Sequence, residues 1–212
     1  FEEIKKKTAA FVKEELLTLE PWILNVKWEE KLPKLNELRG KVKSKGLWLP
    51  QISKEYGGLG LTNAEHGEVS EILGASPYGH YCFNCQAPDA GNMEILIEFG
   101  TDKQKETYLY PLLKGEIRSC FAMTEPDYAG SNPVQMGTIA TKKNGDYLVN
   151  GHKWFTSGFD GATFAIVMLV TEPKTSVPHQ KASQVIVPTS SEGLEFVRNI
   201  SIMGHPGGGW ES

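Results

Sequence analysis

The amino-acid sequence predicts an α+β fold in which a helical region precedes a β-rich region. Apolar residues recur at helical spacing through roughly the first 115 residues. Beyond Gly115 the pattern changes to short alternating or wholly apolar runs, which are typical of strands. Helices followed by strands indicate segregated α and β regions. We therefore predict two domains, residues 1–117 and residues 118–212.

Helical periodicity and capping residues define the elements of the first domain. The first predicted helix has one apolar face, made by Ile4, Phe11, Val12 and Leu16. Further helices are predicted over residues 29–45, after a cap at Thr62 or Asn63, and over residues 92–99 and 102–113. Asp102 is the expected cap of the last helix, and Pro111 is a candidate early end for it.

The second domain contains a strong hairpin signal and several strand-like runs. Asn144-Gly145 lies between the alternating residues of the 138–150 segment, which predicts a two-residue hairpin turn. Residues 163–171 and 184–189 are predicted to be buried strands, and residues 194–202 a further strand. The stretch HPGGGW near the end lacks the Lys-Ser/Thr of a phosphate loop and is predicted to be a turn.

Bulk composition excludes some partners. The net charge of −4 provides no basic surface for nucleic acid. No apolar run approaches the ~20 residues that a membrane-spanning helix needs. Because Phe1 rather than Met opens the sequence, we expect residues before it, and a removed targeting segment stays possible.

The three cysteines raise the question of a zinc site. Cys82 and Cys85 form a C-x-x-C pair, and His80 and Cys120 could be recruited as further ligands. A tetrahedral zinc site needs four ligands, and the sequence has no second pair at metal-binding spacing. Packed thiols are the favoured interpretation, and no metal is predicted.

The stretch CFAMTEPDYAGSN, residues 120–132, combines an apolar run with a polar turn. Thr124 offers a hydroxyl and an N–H at the end of a strand, and Gly130-Ser131 could bring backbone N–H groups close to a pyrophosphate. These are features that a flavin cofactor requires. The alternative is an ordinary turn in which Thr124 and Asp127 bond only to their own backbone.

A second cluster, NGHKWFTSG, precedes the predicted strand at Thr163. Trp154 and Phe155 stand beside the hydroxyls of Thr156 and Ser157. Aromatic rings can form the wall of a site for a flat cofactor while a hydroxyl binds a ring nitrogen. The alternative is that the aromatic rings belong to the core and that the hydroxyls bond local backbone.

Glu125, one of the two carboxylates within the first motif, is a candidate acid or base. Buried carboxylates can perform proton chemistry when their pKa is raised. Glu125 precedes Pro126 in a turn, so we expect it to be solvent-exposed and not catalytic.

The order of these motifs resembles that of the acyl-CoA dehydrogenase family. FAMTEPDYAGSN followed by VNGHKWFTSG closely resembles the family's flavin-binding signatures. LPQISKEYGGLGL and GTDKQKETYLYPLLKGE are similar to its N-terminal loop and to the helix that leads into the β-domain. FNCQAPDAGNMEIL resembles more narrowly the subgroup that includes members fused behind a kinase-like domain, often tied to long or branched acyl chains.

The resemblance implies a fold and a site. The fold is a helical N-terminal domain, a middle antiparallel β-barrel or sandwich, and a C-terminal four-helix domain, with FAD between the last two. The residues along the isoalloxazine would be Phe121, Ala122, Met123 and Thr124. The residues on the pyrophosphate side would be Gly130 and Ser131, and Ser131 would also bind substrate. The residues at the flavin's other edge would be Trp154, Phe155, Thr156 and Ser157. The two turns must therefore converge in space.

The resemblance also implies an activity, α,β-dehydrogenation of an acyl-CoA thioester with hydride transfer to flavin N5. It implies electron-transfer flavoprotein as acceptor and a homodimer or homotetramer. The compartment would be mitochondrial or peroxisomal in a eukaryote and cytoplasmic in a bacterium. The family's catalytic base lies in the C-terminal helices, which this sequence does not reach, so we expect a fragment with an incomplete β-domain and no catalytic residue.

Departures from the family pattern leave details open. The first motif has one residue more than the common form, at Asp127 or Tyr128, and Asn132 stands where Asp is usual. In the second motif the spacing from the lysine to the aromatic and hydroxyl residues is one residue shorter than usual. Either Trp154 or Phe155 could therefore take the aromatic role, and either Thr156 or Ser157 could reach flavin N5. An oxidase on the same scaffold and a non-catalytic assembly module remain alternatives.

Overall fold

A computed structural model describes residues 1–202. The chain forms two compact units, Phe1–Glu116 and a second that begins at Ile117. Within the described residues the first unit is helical and the second contains the strands, so the predicted α+β fold is confirmed. The stretch HPGGGW lies outside the described residues.

The first unit is built from short and medium-length helices. The α-helices are α1 Glu2–Phe11, α2 Glu20–Ile23, α3 Trp28–Ser44, α4 Asn63–Leu73, α5 Gly79–Phe83, α6 Asp89–Phe99, α7 Asp102–Gln104 and α8 Tyr110–Lys114. One turn of π-helix follows α1, at Val12–Leu16, and another joins α7 to α8, at Lys105–Leu109. A 3₁₀ turn lies at Lys54–Tyr56.

The apolar faces predicted from periodicity form the core of this unit. Phe11, on the predicted face of α1, is buried and meets Phe83 of α5 edge-to-face, with ring centroids 5.5 Å apart. Helix α3 buries Leu35, Leu38 and Val42 completely, at the i, i+3, i+7 spacing of one helical face.

Capping boxes start two of the helices. The Thr62 hydroxyl accepts from the Glu65 N–H at 3.3 Å, and the Glu65 carboxylate accepts from the Thr62 N–H at 2.8 Å. This confirms Thr62 as the cap of α4. The predicted cap at Asp102 is wrong, because Thr101 makes the same reciprocal bonds with Gln104. Asp102 instead lies in the first turn, where its charge favours the helix dipole.

Two other helix predictions need correction. Helix α6 begins at Asp89, three residues before the predicted start at Asn92, and Asp89 is buried in its first turn. Pro111 does not end the last helix. The π-turn Lys105–Leu109 precedes it, so Pro111 falls in the first turn of α8, where no N–H is required.

The second unit contains one mixed sheet. Its strands are β1 Ser119–Ala122, β2 Ile139–Lys143, β3 Asp146–Asn150, β4 Phe164–Val170 and β5 Ala182–Pro188. The central strand β4 pairs with β1 and, at Val170, with β2, and it pairs with β5. A strand has two edges, so β1 and β2 follow one another along the same edge of β4. A further 3₁₀ turn lies at Pro178–Gln180.

The hairpin is confirmed, whereas the wholly antiparallel sheet is not. Asn144 and Gly145 have φ of 54° and 93°, as a type I′ turn requires, and Lys143 pairs with Asp146. Strand β4 runs parallel to β1 and β2. Parallel pairing needs a long crossover connection, and the segment 123–163 between β1 and β4 supplies one.

The strand predicted over residues 194–202 does not form. Within this segment only Ile202 makes a bridge, and the remainder has no regular pairing. Alternating apolar residues favour an extended chain, but a strand also requires a partner for its backbone groups. The segment lies along a groove in the second unit instead.

Candidate functional site

The two predicted motifs meet where strand β1 ends. The Trp154 N–H donates to the Thr124 carbonyl at 3.1 Å, so the turn that follows β1 lies directly against the turn that follows β3. This confirms that the two turns converge.

Glu125 and Lys153 form an ion pair at this junction. The Glu125 carboxylate is 4% exposed and accepts from the Lys153 ammonium at 2.7 Å. It also accepts from the backbone N–H groups of Gly137 at 2.5 Å and Thr138 at 2.9 Å. The expected solvent exposure of Glu125 is therefore wrong. Its three partners lie 12, 13 and 28 residues away in the sequence, so its local sequence could not reveal them.

The ammonium of Lys153 reaches the first motif a second time. It donates to the Met123 carbonyl at 2.8 Å, and its side chain is 12% exposed. One cation thus contacts both the backbone before Thr124 and the carboxylate after it.

The environment of Glu125 lowers its pKa. Burial raises the pKa of this carboxyl, but the Lys153 ammonium and the amides of Gly137 and Thr138 outweigh that effect and hold the pKa at about 2. Burial lowers the pKa of Lys153, and the Glu125 carboxylate opposes this lowering. A carboxylate held ionised in this way is a poor proton donor or acceptor.

This pKa predicts a pH-dependent stability of the second unit. The folded-state pKa lies below the ordinary 4.5, so the stabilisation is present above pH 4.5 and is lost as the pH falls towards about 2. We expect the Glu125→Gln variant to be less stable than wild type at neutral pH and to lose less stability across this acid range. Urea unfolding measured along the pH series checks both expectations. The exposed Glu192→Gln is the control, and it should follow wild type throughout.

Two aromatic side chains are displayed beside the ion pair. Trp154 and Phe155 are 36% and 50% exposed and contact each other edge-to-face with centroids 4.9 Å apart. Phe155 has φ of 50°, a region that bulky residues rarely adopt and that costs about 1–3 kcal/mol. The core-packing alternative for these rings is therefore wrong.

The hydroxyls of both motifs have no protein partner. Within residues 1–202 no side-chain hydrogen bond is made by Thr124, Asp127, Ser131, Thr156 or Ser157. The alternative in which Thr124 and Asp127 cap their own backbone therefore does not hold. In contrast, Asn132 accepts from the Val134 N–H at 3.2 Å, which is an ordinary Asx turn.

A glycine is required at position 130 because the Thr124 side chain leaves no room for a Cβ, and not because of the backbone conformation. A Cβ at this position would lie 2.7 Å from Thr124 Cγ2, and Gly130 is not among the glycines with positive φ. The close approach predicted for this glycine is present, whereas its φ gives no support for a left-handed nest. Any larger residue would push the loop away from Thr124.

A groove of about 1060 Å³ lies along the second motif. The predicted residues that line it are Ala122, Trp154, Phe155, Thr156 and Ser157. The predicted residues outside its lining are Phe121, Met123, Thr124, Gly130 and Ser131. Trp154 connects the groove to the first motif, because it lines the groove and its N–H donates to the Thr124 carbonyl.

Two further aromatic residues form part of the groove wall, and neither belongs to the predicted motifs. Phe159 and Phe196 stack with centroids 5.6 Å apart and planes at 11°, and both line the groove. Phe159 directly follows the second motif, which could have identified it. Phe196 was assigned to a strand, and no local signal indicates its contact with Phe159.

The arrangement fits a planar, polar-edged cofactor such as a flavin. Exposed rings provide a flat wall, and unbonded hydroxyls provide hydrogen-bond partners. Gly130 has no side chain, so its loop can pack closely against Thr124. If FAD binds here, Trp154 and Phe155 would face the ring, and Thr124, Thr156 and Ser157 would bond its polar edge.

None of the three cysteines is among the residues that line the groove. Cys82, Cys85 and Cys120 are buried and form no disulfide within the described residues, and burial raises the pKa of the Cys82 thiol to about 12. Among residues 1–202 no group of three or more His, Cys, Asp or Glu side chains could hold a metal ion. In the same part of the chain no helix has the length and apolar composition needed to cross a bilayer.

Comparison with known proteins identifies the family. The sequence profile of the acyl-CoA dehydrogenase N-terminal domain matches residues 1–116, and that of the middle domain matches residues 120–211. The chain therefore belongs to the acyl-CoA dehydrogenase family. Relatives named family members 10 and 11 are kinase-fusion members, so the narrower resemblance is confirmed as well.

Individual relatives support this assignment. Mouse acyl-CoA dehydrogenase family member 10 is 42% identical over 186 residues, which cover 83% of this chain and 17% of the relative. A putative acyl-CoA dehydrogenase from Mycobacterium abscessus is 34% identical with a TM-score of 0.89, covering 97% of this chain and 55% of that one. A Mycobacterium smegmatis glutaryl-CoA dehydrogenase in complex with FADH2 is 25% identical with a TM-score of 0.70, covering 94% and 49%.

Proposed function

We propose that this chain binds FAD and forms the cofactor-binding part of an acyl-CoA dehydrogenase that introduces a trans-2 double bond into an acyl-CoA thioester. The observation that carries the proposal is the convergence of Trp154 and Phe155 with the unbonded hydroxyls of Thr124, Thr156 and Ser157. The chain spans less than two thirds of each relative described above, so the whole reaction is part of the proposal.

Bound FAD would supply acceptance of the hydride that leaves the β-carbon of the acyl chain. The residues of this chain would orient the ring and shield one side of it from water. The hydroxyls would bond its polar edge and thereby hold it at a fixed tilt. Glu125 has all its bonds occupied by Lys153 and two amides, so the base that removes the α-proton comes from elsewhere. Electron-transfer flavoprotein as acceptor and a homo-oligomeric assembly complete the proposal.

FAD binding tests this function directly. We expect the purified chain to take up added FAD and to show the visible absorbance of oxidised flavin. Replacing Ser131 by valine should weaken binding by about 1–3 kcal/mol, because it removes a donor and adds bulk beside the pyrophosphate. The affinity is measured by fluorescence titration.

The exposed Ser190→Val is the matched control, because Ser190 lies in the same unit but belongs to neither of the two motifs. It should bind FAD as wild type does. Unchanged affinity in the Ser131 variant would remove Ser131 from the site, and failure of wild type to bind FAD would reject the proposed function.

A further inference from the structure

Three separate segments are held together by the Glu125–Lys153 pair. Lys153 contacts the Met123 carbonyl at 2.8 Å and so fixes the backbone of the first motif directly after β1. Glu125 accepts the N–H groups of Gly137 and Thr138 and thereby closes the loop of residues 126–136. Lys153 itself directly precedes Trp154, the first residue of the aromatic cluster.

These contacts hold each of the three segments that would bind the cofactor. The Met123 contact holds the segment that ends in Thr124, and loop closure holds the loop that contains Gly130 and Ser131. The position of Lys153 holds the segment 154–157. The backbone bond from Trp154 N–H to the Thr124 carbonyl, at 3.1 Å, joins two of these segments at the point where the ion pair lies.

Neither charge is available for proton transfer. Both carboxylate oxygens of Glu125 accept hydrogen bonds, one from Gly137 and the other from Thr138 and Lys153. The ammonium of Lys153 donates to Glu125 and to Met123, and it also contacts Met136 Sδ at 3.8 Å. Charge-assisted bonds of this kind are short and directional, which suits a group that sets distances between loops.

We infer that Glu125 and Lys153 are positioning residues that set the spacing between the two cofactor-binding turns. This inference rests on the proposed function for its effect on FAD, but the spacing of the turns is a property of the chain alone. Removing either charge leaves the other buried without its partner, which is costly. Loss of the Lys153 ammonium removes the bond to Met123, and loss of the Glu125 charge weakens the bonds from Gly137 and Thr138, so we expect the turns to separate in either case.

The test compares Lys153→Met, Glu125→Gln and the double variant with wild type. The first readout is hydrogen exchange of the Trp154, Gly137 and Thr138 amides without FAD. We expect exchange to accelerate by about tenfold or more in both single variants. The double variant should be no worse than the singles, because the pair acts as one unit.

The second readout is FAD binding. We expect affinity to fall by about tenfold or more in the single variants, and the visible circular dichroism of FAD at saturation to change because the ring tilt changes. Lys153→Arg keeps a cation with donors and should retain most of the exchange protection. It also serves as the folded comparison if Lys153→Met does not fold.

Lys34→Met is the matched control. The Lys34–Glu37 pair has the same 2.7 Å separation but lies on the exposed surface of α3, and its loss should change neither readout. Wild-type amide exchange in a folded Lys153→Met variant would overturn the inference. If wild type itself binds no FAD, the proposed function fails, and the exchange measurements alone decide whether the pair positions the turns.

Discussion

Replacing Arg39 by methionine is expected to lower the free energy of unfolding of the helical unit by about 3–5 kcal/mol. Arg39 is 4% exposed and lies within α3. Its guanidinium donates to the Tyr81 carbonyl at 3.0 Å, to Asn84 Oδ1 at 3.2 Å and to the Gly115 carbonyl at 3.4 Å. Methionine fills similar volume but leaves these acceptors unbonded, at about 1–3 kcal/mol each.

Aromatic contacts add to the effect. The guanidinium lies 4.9 Å from the Trp48 ring and 4.6 Å from the Tyr81 ring, and such contacts contribute up to about 2 kcal/mol each when desolvated. Folding of wild type also requires the guanidinium to lose its hydration, and the methionine variant avoids this cost. The net loss of stability is therefore smaller than the sum of the lost contacts.

Thermal unfolding and amide exchange of α3, α5 and α8 measure the result. We expect the midpoint to fall by about 10 °C or more. The exposed Lys13→Met, which also replaces a cation by methionine, is the control and should stay within about 0.5 kcal/mol of wild type. A drop of similar size in both variants would contradict the role assigned to Arg39.

Substitutions at Trp154 and Phe155 are expected to separate binding from stability. Trp154→Ala should reduce FAD affinity by about 10–100-fold, because stacking on an aromatic side chain is worth about 1–3 kcal/mol for planar bases and we expect a similar value for a flavin. Trp22 is comparably exposed, at 42%, but lies in the helical unit, so Trp22→Ala should leave the affinity unchanged.

Phe155→Gly should weaken FAD binding while leaving the free energy of unfolding within about 1 kcal/mol of wild type. Glycine adopts the φ of 50° without strain, and this gain offsets the lost ring contact with Trp154. Urea unfolding and FAD titration on the same samples check the prediction. A large loss of stability with unchanged FAD affinity would show that Phe155 serves packing instead.

Much of the fold follows from local sequence. Asn144-Gly145 predicts the hairpin because few residues other than Asn and Gly adopt two successive positive φ values. Thr62, one of the two caps predicted for α4, is confirmed, and its bonds with Glu65 span only three residues. The apolar spacing of Leu35, Leu38 and Val42 predicts the buried face of α3 for the same local reason.

The candidate site was predictable only in part. Residue types and motif order indicated which side chains could face a cofactor, including Trp154 and the hydroxyls beside it. The local sequence of Glu125 suggested an exposed turn, whereas its burial depends on Lys153 and on the amides of the 137–138 segment. Phe196 was assigned to a strand because extended spacing alone does not show whether a partner strand is present.

The sequence by itself determined the order of a helical region before a strand-containing region, the hairpin turn at Asn144-Gly145 and the cap of α4, since each depends on patterns a few residues long. Tertiary structure alone decided the parallel pairing of β4 with β1, the burial of Glu125 against Lys153, and the exposure of Trp154 and Phe155. The physical reason is that burial and strand pairing are set by distant segments, whose approach no short window of sequence encodes.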